Sequence, residues 1–116
     1  MSTSLLKLGQ STISRHELET EARRIAIEIK NNVSDIVAIY FFGSAHNGVF
    51  TINSDIDLLV VFSDQAKMQI NSKSLYAKRW SAYPLDLITV SEKEFHDKRE
   101  FGGICFTAYN EGIQII

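Results

Sequence analysis

Residues 41–62 read FFGSAHNGVFTINSDIDLLVVF, and this stretch decides how the rest of the chain is read. An apolar run ends at the pair Gly43-Ser44; ten residues on, Asp55 and Asp57 open a second apolar run. The run after the aspartates is near-continuously apolar, as in a strand covered on both faces. Carboxylates at the mouth of such a strand are costly unless something pairs with them. In an extended chain, side chains at i and i+2 share a face, with Cα atoms about 6.6 Å apart. Asp55 and Asp57 are therefore expected to project together while Ile56 and Leu58 turn into the core.

Two carboxylates on one face repel unless protons or cations intervene. Hard oxygen donors fixed at a strand end suit Mg²⁺ or Mn²⁺, which favour carboxylates together with phosphate oxygens and water. Two such ions about 3.5–4 Å apart clamp the attacking and leaving oxygens of a phosphoryl transfer. A lone Asp-x-Asp is more often a loop cap and a solvated strand end, but the upstream Gly-Ser pair shifts that balance. Gly43 permits a tight turn and close approach to a ligand. Ser44 adds a hydroxyl beside free amides, the chemistry of a phosphate-binding turn.

A third acid stands in PLDLITV, residues 84–90. Asp86 lies between Leu85 and Leu87 in a segment that reads as a strand, where aspartate has poor propensity. Should this strand neighbour the one begun by Asp57, Asp86 joins the same cluster, as metal ligand and as general base for an incoming hydroxyl. Alone, it reads equally well as an exposed residue on an edge strand.

Around this core the elements follow by pattern. SRHELETEARRIAIEIKNN (14–32) reads as a helix: Ser14 and Glu17 have capping-box spacing, and Leu18, Ala22, Ile25 and Ile29 recur at helical period. IVAIYFF (36–42) reads as a buried strand. Residues 63–82 are expected to be a loop and a second helix bearing Lys73, Lys78 and Arg79, a solvated face or replacement charge for phosphates. Trp80 and Tyr83 are expected in the core, with base stacking as the alternative. Pro84, the sole proline, is tolerated at the first position of a third strand. Ser91 and Glu94 suggest a capped helix over 91–100, Gly102 and Gly103 interrupt, a short helix follows over 104–112 to Gly112, and IQII ends extended. The acids of 91–100 read as helix-surface charge. The order predicts an α/β (α+β) domain, a small mixed β-sheet with helices packed on it.

The bulk numbers fit. At 116 residues one domain is expected over 1–116, with 1–13 a flexible N-terminal segment. Apolar residues make 45% and charged residues 22%, ordinary for a soluble fold. A net charge of −2, from 12 basic and 14 acidic residues, gives no bulk electrostatic case for nucleic acid as main partner. Cys105 is the single cysteine and reads as a small core residue in a reducing compartment. No secretory pattern and no run of membrane-spanning length is present, so a cytoplasmic protein without a membrane partner is expected.

With the residues laid out, GSAHNGVFTINSDIDLLV resembles the signature of the DNA polymerase β-like nucleotidyltransferase superfamily: Gly-Ser, ten residues, Asp-x-Asp. The spacing and short chain are similar to the minimal nucleotidyltransferase (MNT) subfamily; LDLITVSEKEF resembles the segment carrying the third acid, and AYNEGIQII the C-terminal helix and strand. The resemblance runs from about Ser14 onward and implies the polymerase β-like nucleotidyltransferase fold. It implies that Gly43 and Ser44 hold the phosphates, that Asp55 and Asp57 hold the metals, and that Asp86 completes the site. It further implies Mg²⁺ (or Mn²⁺) and ATP as nucleoside triphosphate substrate, transfer of AMP to a hydroxyl with release of pyrophosphate, and a separate helical HEPN-type protein as toxin partner of an MNT antitoxin. Where many members carry Arg-Ala-Arg-Gly after Gly-Ser, this chain has Ala45, His46, Asn47 and Gly48. The absent arginines favour, as alternatives, a catalytically weak antitoxin that masks its partner; a transferase acting on a small molecule or RNA end is the third reading.

Overall fold

The structure, a computed structural model, describes residues 12–42, 50–51 and 56–116. Helix α1 (Arg15–Asn32) starts where expected: Glu17 N donates to Ser14 Oγ and Ser14 N donates to Glu17 Oε1, both at 3.1 Å. Such a cap is typically worth about 1 kcal/mol because it satisfies amides that have no helical partner. Leu18, Ala22, Ile25, Ala26 and Ile29 form its buried stripe. Asp35 takes the left-handed φ of 69° in the turn that follows, a conformation short polar side chains tolerate.

Strands β2 (Ile36–Phe42) and β4 (Ile56–Phe62) pair antiparallel, and β5 (Leu85–Ser91) runs parallel to β4. Beyond β2 lies β6 (Ile113–Gln114), so the sheet order is β5-β4-β2-β6, with mixed direction as expected. The chain passes from β4 to β5 through α2 (Gln65–Tyr76), capped by Asp64 Oδ1 accepting from Lys67 N at 2.8 Å. Helices α3 (Glu92–Lys98) and α4 (Gly103–Glu111) follow β5.

Alternation along β4 divides the interior in two. Ile56, Leu58, Val60 and Phe62 pack with Leu18, Ile25, Ile29, Leu75 and Trp80 on one face of the sheet. Leu59 and Val61 pack with Tyr40, Phe42, Val90, Phe95, Cys105 and Ala108 on the other. Both faces are therefore covered, which is why residues 56–62 show no polar alternation after Asp57. Each fully buried Leu, Ile or Phe contributes about 1.5–3 kcal/mol of transfer free energy before entropy is subtracted.

Three details depart from the sequence reading. Thr12–Ile13 (β1) pairs antiparallel with Phe50–Thr51 (β3), so the end of the segment expected to be flexible is a strand. Helix α2 stops at Tyr76, which leaves Lys78 and Arg79 on the following connection instead of on the helix. The cause is Trp80: its indole Nε1 donates to Leu75 O at 2.7 Å, the carbonyl a further helical turn would use for residue 79. The third is at α3, where Ser91 Oγ accepts from Glu94 N at 3.2 Å but the Glu94 carboxylate turns to Lys98 Nζ at 2.9 Å, so the expected capping box has one arm. Among the described residues no helix is long and apolar enough to cross a membrane.

Candidate functional site

The parallel register of β4 and β5 sets Asp57 directly beside Asp86. Neighbouring strands lie about 4.8 Å apart, and residues in register share a face of the sheet. The condition on which Asp86 was expected to join the acidic cluster is thus met. On the other side of Asp57 stands Phe42, the last residue of β2. Asp57 is half-buried and Asp86 is exposed, so the pair sits where the covered sheet meets solvent. Asp86 also lies on an edge strand and is exposed, the position that the bland reading expected. Ile56 N donates to Pro84 O at 2.9 Å, which ties the starts of the two acid-bearing strands together. Proline offers a carbonyl there without a competing amide donor.

Gly43, Ser44, Ala45, His46, Asn47 and Asp55 lie outside the described residues. Among those described, no group of three or more His, Cys, Asp or Glu is arranged to hold a metal ion. Asp57 and Asp86 supply two hard carboxylate donors, the donor class Mg²⁺ and Mn²⁺ take. Two registered carboxylates also repel, and a cation between them removes that cost. The donor chemistry of these two residues fits a divalent ion.

Beside the Asp86 end of β5 is an open groove of about 510 Å³, lined by Tyr76, Arg79, Ala82, Tyr83, Pro84 and Asp86 among others. Tyr76 is held on its wall by its hydroxyl, which donates to Leu87 O at 2.8 Å. Trp80 is buried and Tyr83 packs on the same core, as expected for both. Lys78 Nζ lies 3.6 Å from Glu28 and 4.6 Å above the Trp80 ring, and Arg79 Nε donates to Ser81 O at 3.1 Å. These cations are tied to the connection's own structure. Lys73 is exposed on α2. Cys105 is buried in the core, and burial raises its thiol pKa.

Sequence reasoning passed over a polar cluster behind this groove. Arg24 reaches Glu21 with two hydrogen bonds (3.0 and 2.8 Å), Glu28 with a third at 3.1 Å and Trp80 O with a fourth at 2.9 Å. Ser81, itself buried, donates from Oγ to Glu21 Oε2 at 2.6 Å and accepts from Tyr83 N at 3.1 Å. The Arg24 hydrogen bond holds the Glu21 carboxyl below its ordinary pKa, and the Ser81 hydroxyl acts in the same direction against partial burial. The spacing of Glu21 and Arg24 on α1 was the one local signal.

Comparison with known proteins agrees with this geometry. The family described as "Nucleotidyltransferase domain" matches residues 22–113, from the middle of α1 to the start of β6. Three spectinomycin 9-adenylyltransferases of Staphylococcus aureus are each 35% identical to the chain over 59% of its length. The match takes in 32% of each relative, so the chain spans about a third of the length of these proteins. No solved structure matches the chain significantly. With the Asp57–Asp86 register, the mixed sheet and a match over most of its residues, the chain belongs to the nucleotidyltransferase domain family of the polymerase β-like fold.

Proposed function

We propose that the protein is a Mg²⁺-dependent nucleotidyltransferase that moves AMP from ATP to a hydroxyl of a protein partner, as the MNT antitoxin of a HEPN toxin pair. The observation that carries the site is the register of Asp57 with Asp86 on adjacent parallel strands. In this reading Asp55, Asp57 and Asp86 hold the divalent ions. When bound, those ions supply neutralisation of phosphate charge and a fixed template for the leaving pyrophosphate. Gly43 and Ser44 cradle the triphosphate with backbone amides and a hydroxyl. Exposed Asp86 accepts the proton of the acceptor hydroxyl as its oxygen bonds to the α-phosphorus and the bond to pyrophosphate breaks. The groove beside Asp86 gives the acceptor its approach. Composition supports a protein acceptor over nucleic acid, since the net charge is −2.

A second reading is favoured by the relatives' names: adenylylation of a small hydroxylated acceptor, with the missing binding surface supplied from outside these residues. One experiment separates the two. Purified protein, α-labelled ATP and Mg²⁺ are incubated with a candidate helical partner or with an aminocyclitol, alongside Asp55→Asn and Asp57→Asn. Label on the partner that disappears in both variants is the expected result. Label on the aminocyclitol alone selects the second reading, and label transfer that survives both variants refutes the assigned roles.

A further inference from the structure

We propose that Glu21, Arg24 and Ser81 form a positioning latch that fixes the connection 77–84 to α1 and thereby holds Asp86 in register with Asp57. The inference rests on the reading above that Asp86 belongs to the site, but its structural half is testable without it.

A run of hydrogen bonds leads from the helix to the amide that precedes Asp57. Arg24 grips Trp80 O at 2.9 Å while its guanidinium is oriented by Glu21 and Glu28. Glu21 accepts from Ser81 Oγ at 2.6 Å, and Ser81 Oγ accepts from Tyr83 N at 3.1 Å. The next residue, Pro84, presents its carbonyl to Ile56 N at 2.9 Å, one residue before Asp57. Lys78 adds its contact with Glu28 and its cation–π contact over Trp80. Lys78, Trp80 and Ser81 line the same groove as Asp86, and the hydrogen bonds of Arg24 and Ser81 act on where the connection sits. The need for a latch follows from the topology: β5 is an edge strand, paired only with β4 among the described residues, and Asp86 is at its second position. A strand end held from one side frays more readily than a central one. Displacement of a reacting group by about 1 Å costs on the order of 100-fold in rate.

The test uses Ser81→Ala and Glu21→Gln, with Lys93→Ala as control because it removes an ordinary exposed ion pair on α3. Three quantities are read: amide exchange at Ile56, Mn²⁺ affinity by spin resonance of the free ion, and the kcat and KM of transfer. The latch predicts faster exchange at Ile56 in both variants, with Mn²⁺ affinity and kcat each lower by about tenfold or more. It also predicts an unchanged KM for ATP, because the phosphate-binding turn is not on this connection. Either variant suffices should the other fail to fold. Folded variants with wild-type exchange at Ile56 and wild-type Mn²⁺ affinity overturn the latch. Full activity in Asp86→Asn instead overturns the site reading, and leaves Ile56 exchange to decide whether the connection is held as described.

Discussion

Replacing Gly112 by alanine tests how closely the end of α4 is pressed onto the sheet. Gly112 closes that helix by donating its N–H to Ala108 O at 3.1 Å, and the next two residues pair with Tyr40 and Phe41 of β2. A Cβ at position 112 would stand 2.6 Å from Ala108 O, 2.7 Å from Phe41 O and 3.1 Å from Phe42 Cβ. Its φ of −87° suits alanine, so close approach, and no backbone strain, is what requires glycine here. Two of the three clashes are with backbone oxygens, which cannot swing away as a side chain can. Relief requires β6 to separate from β2, or α4 to lift. Overpacking of this kind costs about 1–3 kcal/mol, and the upper end applies because backbone must move. The narrower unfolded ensemble of alanine returns about 0.4–1 kcal/mol. The net is a loss of about 2 kcal/mol. Unfolding entropy of about 0.24 kcal/mol/K for this chain length converts that to a Tm about 8 °C lower. Thermal melts followed by circular dichroism measure it directly. Because Phe42 pairs with Asp57, the same change is expected to weaken Mn²⁺ binding. A Gly112→Ala protein with unchanged or raised Tm would refute the packing argument.

Three further outcomes are expected. Asp86→Asn removes one of two like charges in register and should raise metal-free stability by about 0.2–1 kcal/mol, read by denaturant unfolding without Mg²⁺, while transfer activity, read with labelled ATP, is lost. Glu21 has its folded pKa depressed, first by the Arg24 hydrogen bond, so its contribution is complete above the unfolded value of about 4.3 and lost as pH falls through the folded one. Urea unfolding between neutral pH and pH 3 should show a shallower acid loss in Glu21→Gln than in wild type. The Cys105 thiol, raised first by burial, should react slowly with a thiol-directed reagent in the native protein and rapidly after unfolding; equal rates would contradict the packing around it.

How much of this was legible before the structure depends on the range of the interactions involved. Helix α1 was readable to its cap because Ser14, Glu17 and the buried stripe all act within a few residues of one another. Residues 56–62 were readable as a doubly covered strand for the same reason. The adjacency of β4 and β5 could be posed but not decided, since a parallel pair is joined by a long crossover whose geometry no local pattern encodes. The end of α2 was misjudged because a side chain, Trp80, took a carbonyl that helical propensity alone would have kept. The contact of Ser81 with Glu21 spans 60 residues, beyond any periodicity. Gly43, Ser44 and Asp55 carry the most recognisable part of the sequence motif, and they fall outside the described residues.

The border placement of β5 has one more consequence. A carboxylate deep in a cleft admits only a substrate slender enough to thread in, whereas Asp86 stands at the rim of the slab with open space beside it. Under the proposed function, a bulky folded protein would lay a broad surface against that rim and present a single hydroxyl sideways, without either body having to open.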